Sequence, residues 1–165
     1  MAEVHVAAWR AAYRAVLSPS FLAAIDVAEW SERWRQRLSA GEADTAFLVA
    51  TCDARVVGIA AAGPSRTPGE DRSGELRMLN VAPDWWSRGV GGALHASCLD
   101  HLVRVARRRA HLWVAVDNRR ARDFYARRQW VLTADHRLDR RMEPPLSEVR
   151  YALNLDTLRR RATPI

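Results

Sequence analysis

Apolar residues recur at mainly helical spacing at the front of the chain. Val4, Val6, Ala7, Trp9 (on an adjoining face), Ala11, Tyr13 and Leu17 place a helix over 2–17. Ser18-Pro19-Ser20 breaks it and offers caps for a second helix over 20–39. That helix carries Phe21, Leu22, Ile25, Trp30, Trp34 and Leu38, with an interruption expected near Asp26. The pattern then shortens to strands. Residues 47–51 and 55–62 read as a hairpin with Cys52-Asp53-Ala54 at its turn. The turn-forming stretch 64–74 is a loop, and 75–81 is a third strand. A helix follows over 91–107, with Leu94, Cys98, Leu102 and Val105 on one stripe. Then come a strand over 111–116, a helix over 118–128, and strands over 130–134 and 148–155 joined by a loop over 135–147. Residues 156–165 read as a frayed tail. The order ααβββαβαββ predicts one domain over 1–165 of the α/β class, built on a mixed sheet without repeat or linker.

The chain has 165 residues, enough for a sizeable core, and its 48% hydrophobic and 27% charged content is that of a folded domain. No apolar run is long enough to span a membrane, and the N-terminus lacks the order of a signal peptide, so a cytoplasmic protein is expected. Cys52 and Cys98 sit in no metal-ligand or redox spacing and are expected to be free, buried thiols; no metal is implied. The net charge is +7, and all 26 basic residues are arginines. That field favours an anionic partner, and the planar guanidinium fork suits phosphate.

One stretch offers a place for such an anion. In Asp84-Trp85-Trp86-Ser87-Arg88-Gly89-Val90-Gly91-Gly92-Ala93-Leu94, three glycines lie where the chain passes from a predicted strand into a predicted helix. A helix N-terminus has unpaired N–H groups and a partial positive charge. Glycines let those groups approach an anion without a Cβ in the way. A diphosphate could be held there by backbone alone, with Arg88 adding charge at the rim. A tight turn would need only one glycine. Neither Gly-Lys-Ser/Thr nor Gly-x-Gly-x-x-Gly is present, so this is neither a Walker nor a Rossmann loop.

The stretch 79–94 resembles the acetyl-CoA-binding motif of the GNAT N-acetyltransferase superfamily: Val-x-Pro at a strand end, a loop of the form Gln/Arg-x-x-Gly-x-Gly/Ala, then a helix. Val81, Pro83, Gly89, Gly91 and Leu94 match it. The later stretch 112–131 is similar to that family's Leu-x-Val-x-x-x-Asn-x-x-Ala-x-x-Phe-Tyr pattern, matched by Leu112, Val114, Asn118, Ala121, Phe124 and Tyr125. The two opening helices look like those of many bacterial members, so the resemblance covers about 2–155. It departs at Trp86 and Ser87, where the loop motif begins with Gln/Arg, and at Gln129 and Trp130, where Gly and Phe are common. A β-strand normally precedes the first helix and has no counterpart here. The unpaired edge would promote a homodimer or lower stability.

The resemblance implies the GNAT fold, a central mixed and mostly antiparallel sheet flanked by helices, here with its first strand missing. It implies acetyl transfer from acetyl-CoA, as co-substrate, to a primary amine of a small molecule or peptide by direct attack. Tyr125 would be the general acid toward the sulfur. Glu75 would take the amine proton through water, with a pKa raised by burial. Leu79 and Val81 would line the pantetheine, with a Val81 N–H as oxyanion donor. Arg88, Gly89, Val90, Gly91 and Gly92 would hold the diphosphate, and Asn118 the pantetheine arm or a water, besides capping its helix. Trp9 and Tyr13, with Trp30 and Trp34, would wall the amine site or pack as core. Two competing readings remain: a degenerate GNAT domain that binds CoA without catalysis, and a basic nucleic-acid-binding protein using the arginines of 104–112 and 118–128. No nucleic-acid module signature accompanies those arginines.

Overall fold

The computed structural model describes residues 1–157. Helix α1 spans Ala2–Tyr13, α2 Pro19–Ala24 and α3 Val27–Ala40. The break between α2 and α3 falls where expected and has a local cause. Ser18 Oγ accepts the Phe21 N–H at 3.2 Å to start α2, and Ile25 is extended. The Asp26 carboxylate then accepts the Ala28 and Glu29 N–H groups at 3.1 and 3.3 Å to start α3. Helix α1 stops four residues before the expected end, with 14–17 turning away through bonds to the Tyr13 carbonyl.

Six strands follow: β1 (Ala46–Cys52), β2 (Arg55–Pro64), β3 (Ser73–Val81), β4 (Arg109–Ala115), β5 (Val131–Asp139) and β6 (Leu146–Asn154). Helix α4 (Val90–Arg104) lies between β3 and β4, and α5 (Arg119–Ala126) between β4 and β5. The sheet order is β1-β2-β3-β4-β6-β5, antiparallel except for β3 with β4. This is the mixed, mostly antiparallel sheet that was expected. Among the described residues no strand precedes α1, and β1 and β5 form the two edges.

The stretch 135–147 differs from expectation. Residues 136–139 pair with 146–149, so β5 is longer than its hydrophobic pattern. An exposed edge strand rich in charge shows no apolar alternation, and its Arg137–Glu148 pair, at 2.5 Å, lies across the ladder. Part of the expected frayed tail is also tied down. Arg108 pairs with Asp156 at 3.1 Å, beside the buried Leu155 that ends the last expected strand. Residues 158–165 lie outside the described residues.

Helices α4 and α5 cover one face of the sheet over a core that includes Leu94, Cys98, Leu102, Leu112, Val149 and Tyr151. Helices α1 and α3 cover the β2–β3 part of the other face through Val4, Trp34 and Ile59, and Leu17 and Leu22 pack on Ala115 and Leu146. Cys98 is buried and Cys52 half-buried, both free. No helix among the described residues is long and apolar enough to cross a membrane.

The pairing of the two central strands positions the cleft. Strands β3 and β4 pair only at Ser73–Arg109, Gly74–Ala110 and Glu75–His111. Beyond that, β3 stays with β2 as far as Val81, and β4 stays with β6 as far as Ala115. The two central strands therefore diverge and open a gap in the middle of the sheet.

Candidate active site

The gap is the root of a cleft of about 910 Å³. Its walls come from β3, the glycine loop, α5, α1 and the β5–β6 region. The Ala82 N–H donates to Val57 O at 2.9 Å. In an antiparallel ladder such bonding residues alternate. Asn80 and Ala82 thus bond to β2, while Leu79 and Val81 turn their N–H and C=O groups toward the edge that β4 has left. Leu79 and Val81 both line the cleft. The Val81 carbonyl is already taken by the Trp86 indole N–H at 2.8 Å. Trp86 is therefore not a stand-in for a polar ligand contact. It latches the loop to the end of β3.

After a 3-10 turn over Pro83–Trp85, the chain reaches Ser87 and Gly89, both left-handed, with φ of 61° and 87°. Gly89 is the N-cap residue of α4, and no side chain caps this helix. The first-turn N–H groups of α4 thus have no intrahelical partner. Cβ atoms added to Gly89 and Gly91 would find open space and ordinary contact respectively, so packing of the protein itself does not demand glycine at 91. Gly89, Gly91 and Gly92 line the cleft. Two neighbours behave differently. Val90 packs into the core beneath the loop, and Arg88 is exposed with its guanidinium 5.1 Å over the Trp85 ring, outside the cleft lining.

The cations that do line this end are Arg120, Arg127 and Arg128. Arg120 lies 4.1 Å over the Trp86 ring and reaches Ser87 Oγ at 3.4 Å, and Arg128 lies 3.7 Å over Phe124. They belong to one of the two basic runs on which the competing nucleic-acid reading rested. In the other basic run, Arg107 and Arg108 are paired with Asp44 and Asp156.

Helix α5 delivers the second motif. Asn118 Oδ1 accepts the Ala121 N–H at 3.1 Å, so it is an N-cap, and it lines the cleft together with Tyr13. Tyr125 is 8% exposed and lines the cleft, with its ring among those of Phe124, His95 and Trp130. Burial, then the neighbouring Tyr13 and Cys98, push its phenol above the ordinary value, so it stays protonated. Gln129 follows α5 with φ of 66°, the left-handed position that glycine takes without strain.

Glu75 is buried, as expected, at 4% exposure, but its pKa is not raised. Burial acts upward, and Arg66 outweighs it. Arg66 donates from Nε and Nη2 to the two carboxylate oxygens at 2.9 and 2.6 Å and adds its backbone N–H at 3.3 Å. The result is a carboxyl held below the usual carboxylate value. A depressed carboxyl contributes stability that is present above its unfolded value and is lost as pH falls through the folded one. The denaturant midpoint of Glu75→Gln is accordingly expected to vary less than wild type below the ordinary carboxyl value of 4.5. Parallel acid limbs for the two proteins in urea titrations would contradict the pairing.

Trp9 and Tyr13 stand on the α1 wall, ring centroids 5.0 Å apart. His5 stacks on Trp30 at 3.7 Å and on Trp9 at 5.5 Å, and its Nδ1 lies 3.3 Å from Asn80 Nδ2. Trp34 is buried core instead. Burial, then Arg37 and Arg33, lower the His5 pKa to about 4; burial, then Arg128, do the same to His95, whose Nε2 accepts the Trp130 indole N–H at 2.8 Å. Both imidazoles are neutral when folded, and the unfolded chain binds their protons first. Stability is therefore expected to fall from pH 6.5 to about 4, by a few kcal/mol in all. Melting temperatures of His95→Gln, which should lose part of this slope, provide the check.

The family model described as "Acetyltransferase (GNAT) family" matches residues 8–129, most of the chain and both motifs. The chain belongs to the GNAT acetyltransferase family. An uncharacterized N-acetyltransferase of Bacillus subtilis, YuaI, is 27% identical over 118 residues, 72% of this chain and 66% of that protein. An uncharacterized N-acetyltransferase of Archaeoglobus fulgidus is 35% identical over 81 residues, 48% of this chain and 55% of that protein. The chain thus matches two thirds or less of the length of these relatives. The PaiA N-acetyltransferase from Thermoplasma acidophilum, solved with coenzyme A, shares the fold at a TM-score of 0.72 and 15% identity, over 93% of this chain and 89% of that one. YncA from Salmonella typhimurium, solved with acetyl-CoA, does so at 0.68 and 17%, over 94% and 86%.

Proposed function

We propose that this protein transfers the acetyl group of acetyl-CoA to a primary amine. The observation that carries this reading is the convergence, in one cleft, of an uncapped helix N-terminus, two outward-turned strand residues and a buried phenol. The two CoA-bound structural neighbours support it. Acetyl-CoA supplies an activated thioester. The N–H groups at Gly89, Gly91 and Gly92 hold its diphosphate, with Arg120 and Arg128 adding charge and Arg88 acting only at long range. Leu79 and Val81 run beside the pantetheine, and the Val81 N–H stabilises the oxyanion. Its C=O is occupied by Trp86, which holds the N–H in place.

Tyr125 donates the proton that the leaving thiolate needs. Asn118 caps the start of α5 beside Tyr13 and so orients that corner. Glu75 receives the amine proton through water. With Arg66 on both oxygens it is a weak base, and it serves as well to fix Arg66 at the cleft wall. The aromatic wall of Trp9 and Tyr13 receives the acceptor.

Calorimetric titration with acetyl-CoA at low and moderate salt, followed by thiol release with an amine panel, tests this. Saturable one-to-one binding with turnover is expected. Tight binding with no turnover on any amine would establish the non-catalytic reading instead. Absence of binding would dismiss the site altogether.

A further inference from the structure

The half of the cleft away from the glycine loop is arginine-rich, and its acids are already spent. Glu75, Asp139 and Glu148 line it, and each is hydrogen-bonded by an arginine that lines it too: Arg66 at 2.6 Å, Arg141 at 2.7 Å and Arg137 at 2.5 Å. Arg37 and Arg77 of the same cleft share the single carboxylate of Glu42. A second ammonium on the acceptor would find no carboxylate there free of an arginine.

The positive surplus lies with Arg37 and Arg77, which share one carboxylate, and two further arginines keep an edge open to a ligand. Arg66 comes from the loop after β2, and Arg141 from the β5–β6 turn. Arg141 lies close enough for its charge to act on Arg66, and both line the cleft. Each spends Nε and Nη2 on its own acid, leaving Nη1 without a protein partner among the described residues. Their side chains are 59% and 81% exposed. Both guanidiniums line the cleft, and each keeps that one edge open to an anion. A carboxylate suits the guanidinium fork.

Resting on the acetyl-transfer reading, we propose that the acceptor is an amine that also carries a carboxylate, an amino acid with an apolar or aromatic body, and that Arg66 and Arg141 clasp the carboxylate. Arg66 touches Glu75, so the clasp lies beside the group that receives the amine proton. That suits the short amine-to-carboxylate spacing of an amino acid. Trp9, Trp30 and Trp113 line the same half and offer the apolar surface. Polyamines are rejected, because every added ammonium meets paired acids and unpaired arginine edges.

The test compares N-acetyl-phenylalanine with N-acetyl-phenethylamine, which differ only by the carboxylate, titrated calorimetrically into the full chain with CoA present. Thiol release from acetyl-CoA is measured alongside with phenylalanine, phenethylamine and spermidine. The carboxylated ligand is expected to bind about tenfold or more tighter. Arg141→Gln should erase that preference, while Asp139→Asn, which releases Arg141 from its acid, should keep or increase it. Equal affinities, binding of neither ligand, or faster turnover of spermidine would overturn the proposal. A carboxylate preference in binding with no thiol release from any amine would instead count against acetyl transfer and leave the clasp standing.

Discussion

Gly91→Glu is expected to weaken acetyl-CoA binding at least about 100-fold without unfolding the protein. The two halves of this expectation have separate causes. At position 91 a Cβ would sit 3.5 Å from Phe124 and 3.7 Å from Leu79 and Val81, which is ordinary contact. Replacing glycine within a helix also removes about 1 kcal/mol of propensity cost, so the melting temperature should hold or rise. The new carboxylate, however, stands in the first turn of α4, where the dipole and free N–H groups await the diphosphate. It fills that space, satisfies those donors and repels the ligand. Gly91→Ala adds little bulk and no charge, and should lie between the two. Calorimetry with acetyl-CoA, beside thermal melts of the same samples, reads both quantities. Undiminished affinity in Gly91→Glu would remove the loop from the cofactor site.

Tyr125→Phe is expected to lower kcat by about 100-fold while acetyl-CoA affinity stays within about twofold. The substitution removes one oxygen and keeps the ring, which is packed among Phe124, His95 and Trp130. A phenol kept protonated by burial is a donor at every physiological pH, so the loss should appear across the whole pH profile rather than on one limb. Single-turnover thiol release and equilibrium binding separate the two effects. Full turnover in Tyr125→Phe would exclude the phenol as the acid.

Both predictions rest on residues that sequence motifs had already singled out, and this marks what was legible. Helix caps, turn residues and glycine spacing act within a few positions. The Ser18 and Asp26 caps, the hairpin turn at Asp53–Ala54 and the strand–loop–helix around Gly89 could therefore all be read from their neighbours. Arg66 and Glu75 lie nine residues apart across a loop, with no spacing that announces a bond, so Glu75 was expected to carry a raised pKa that Arg66 in fact lowers. Arg120 and Arg128 were visible as charge but not as charge at the glycine-loop end of the cleft. Trp86 looked like a lost ligand contact until its indole was found on the Val81 carbonyl.

By itself, the sequence of this chain determined the order of its elements, the family to which it belongs, and the positions of the glycine loop and of Tyr125. Those are consequences of local backbone chemistry and periodicity. Only the tertiary structure decided that β3 and β4 part after Glu75, that the acids of the cleft half away from the glycine loop are paired with arginines, and that Arg66 and Arg141 come to line one cleft. Each depends on groups far apart in the chain. Their interaction energies follow distance in space, which no pattern along the sequence encodes.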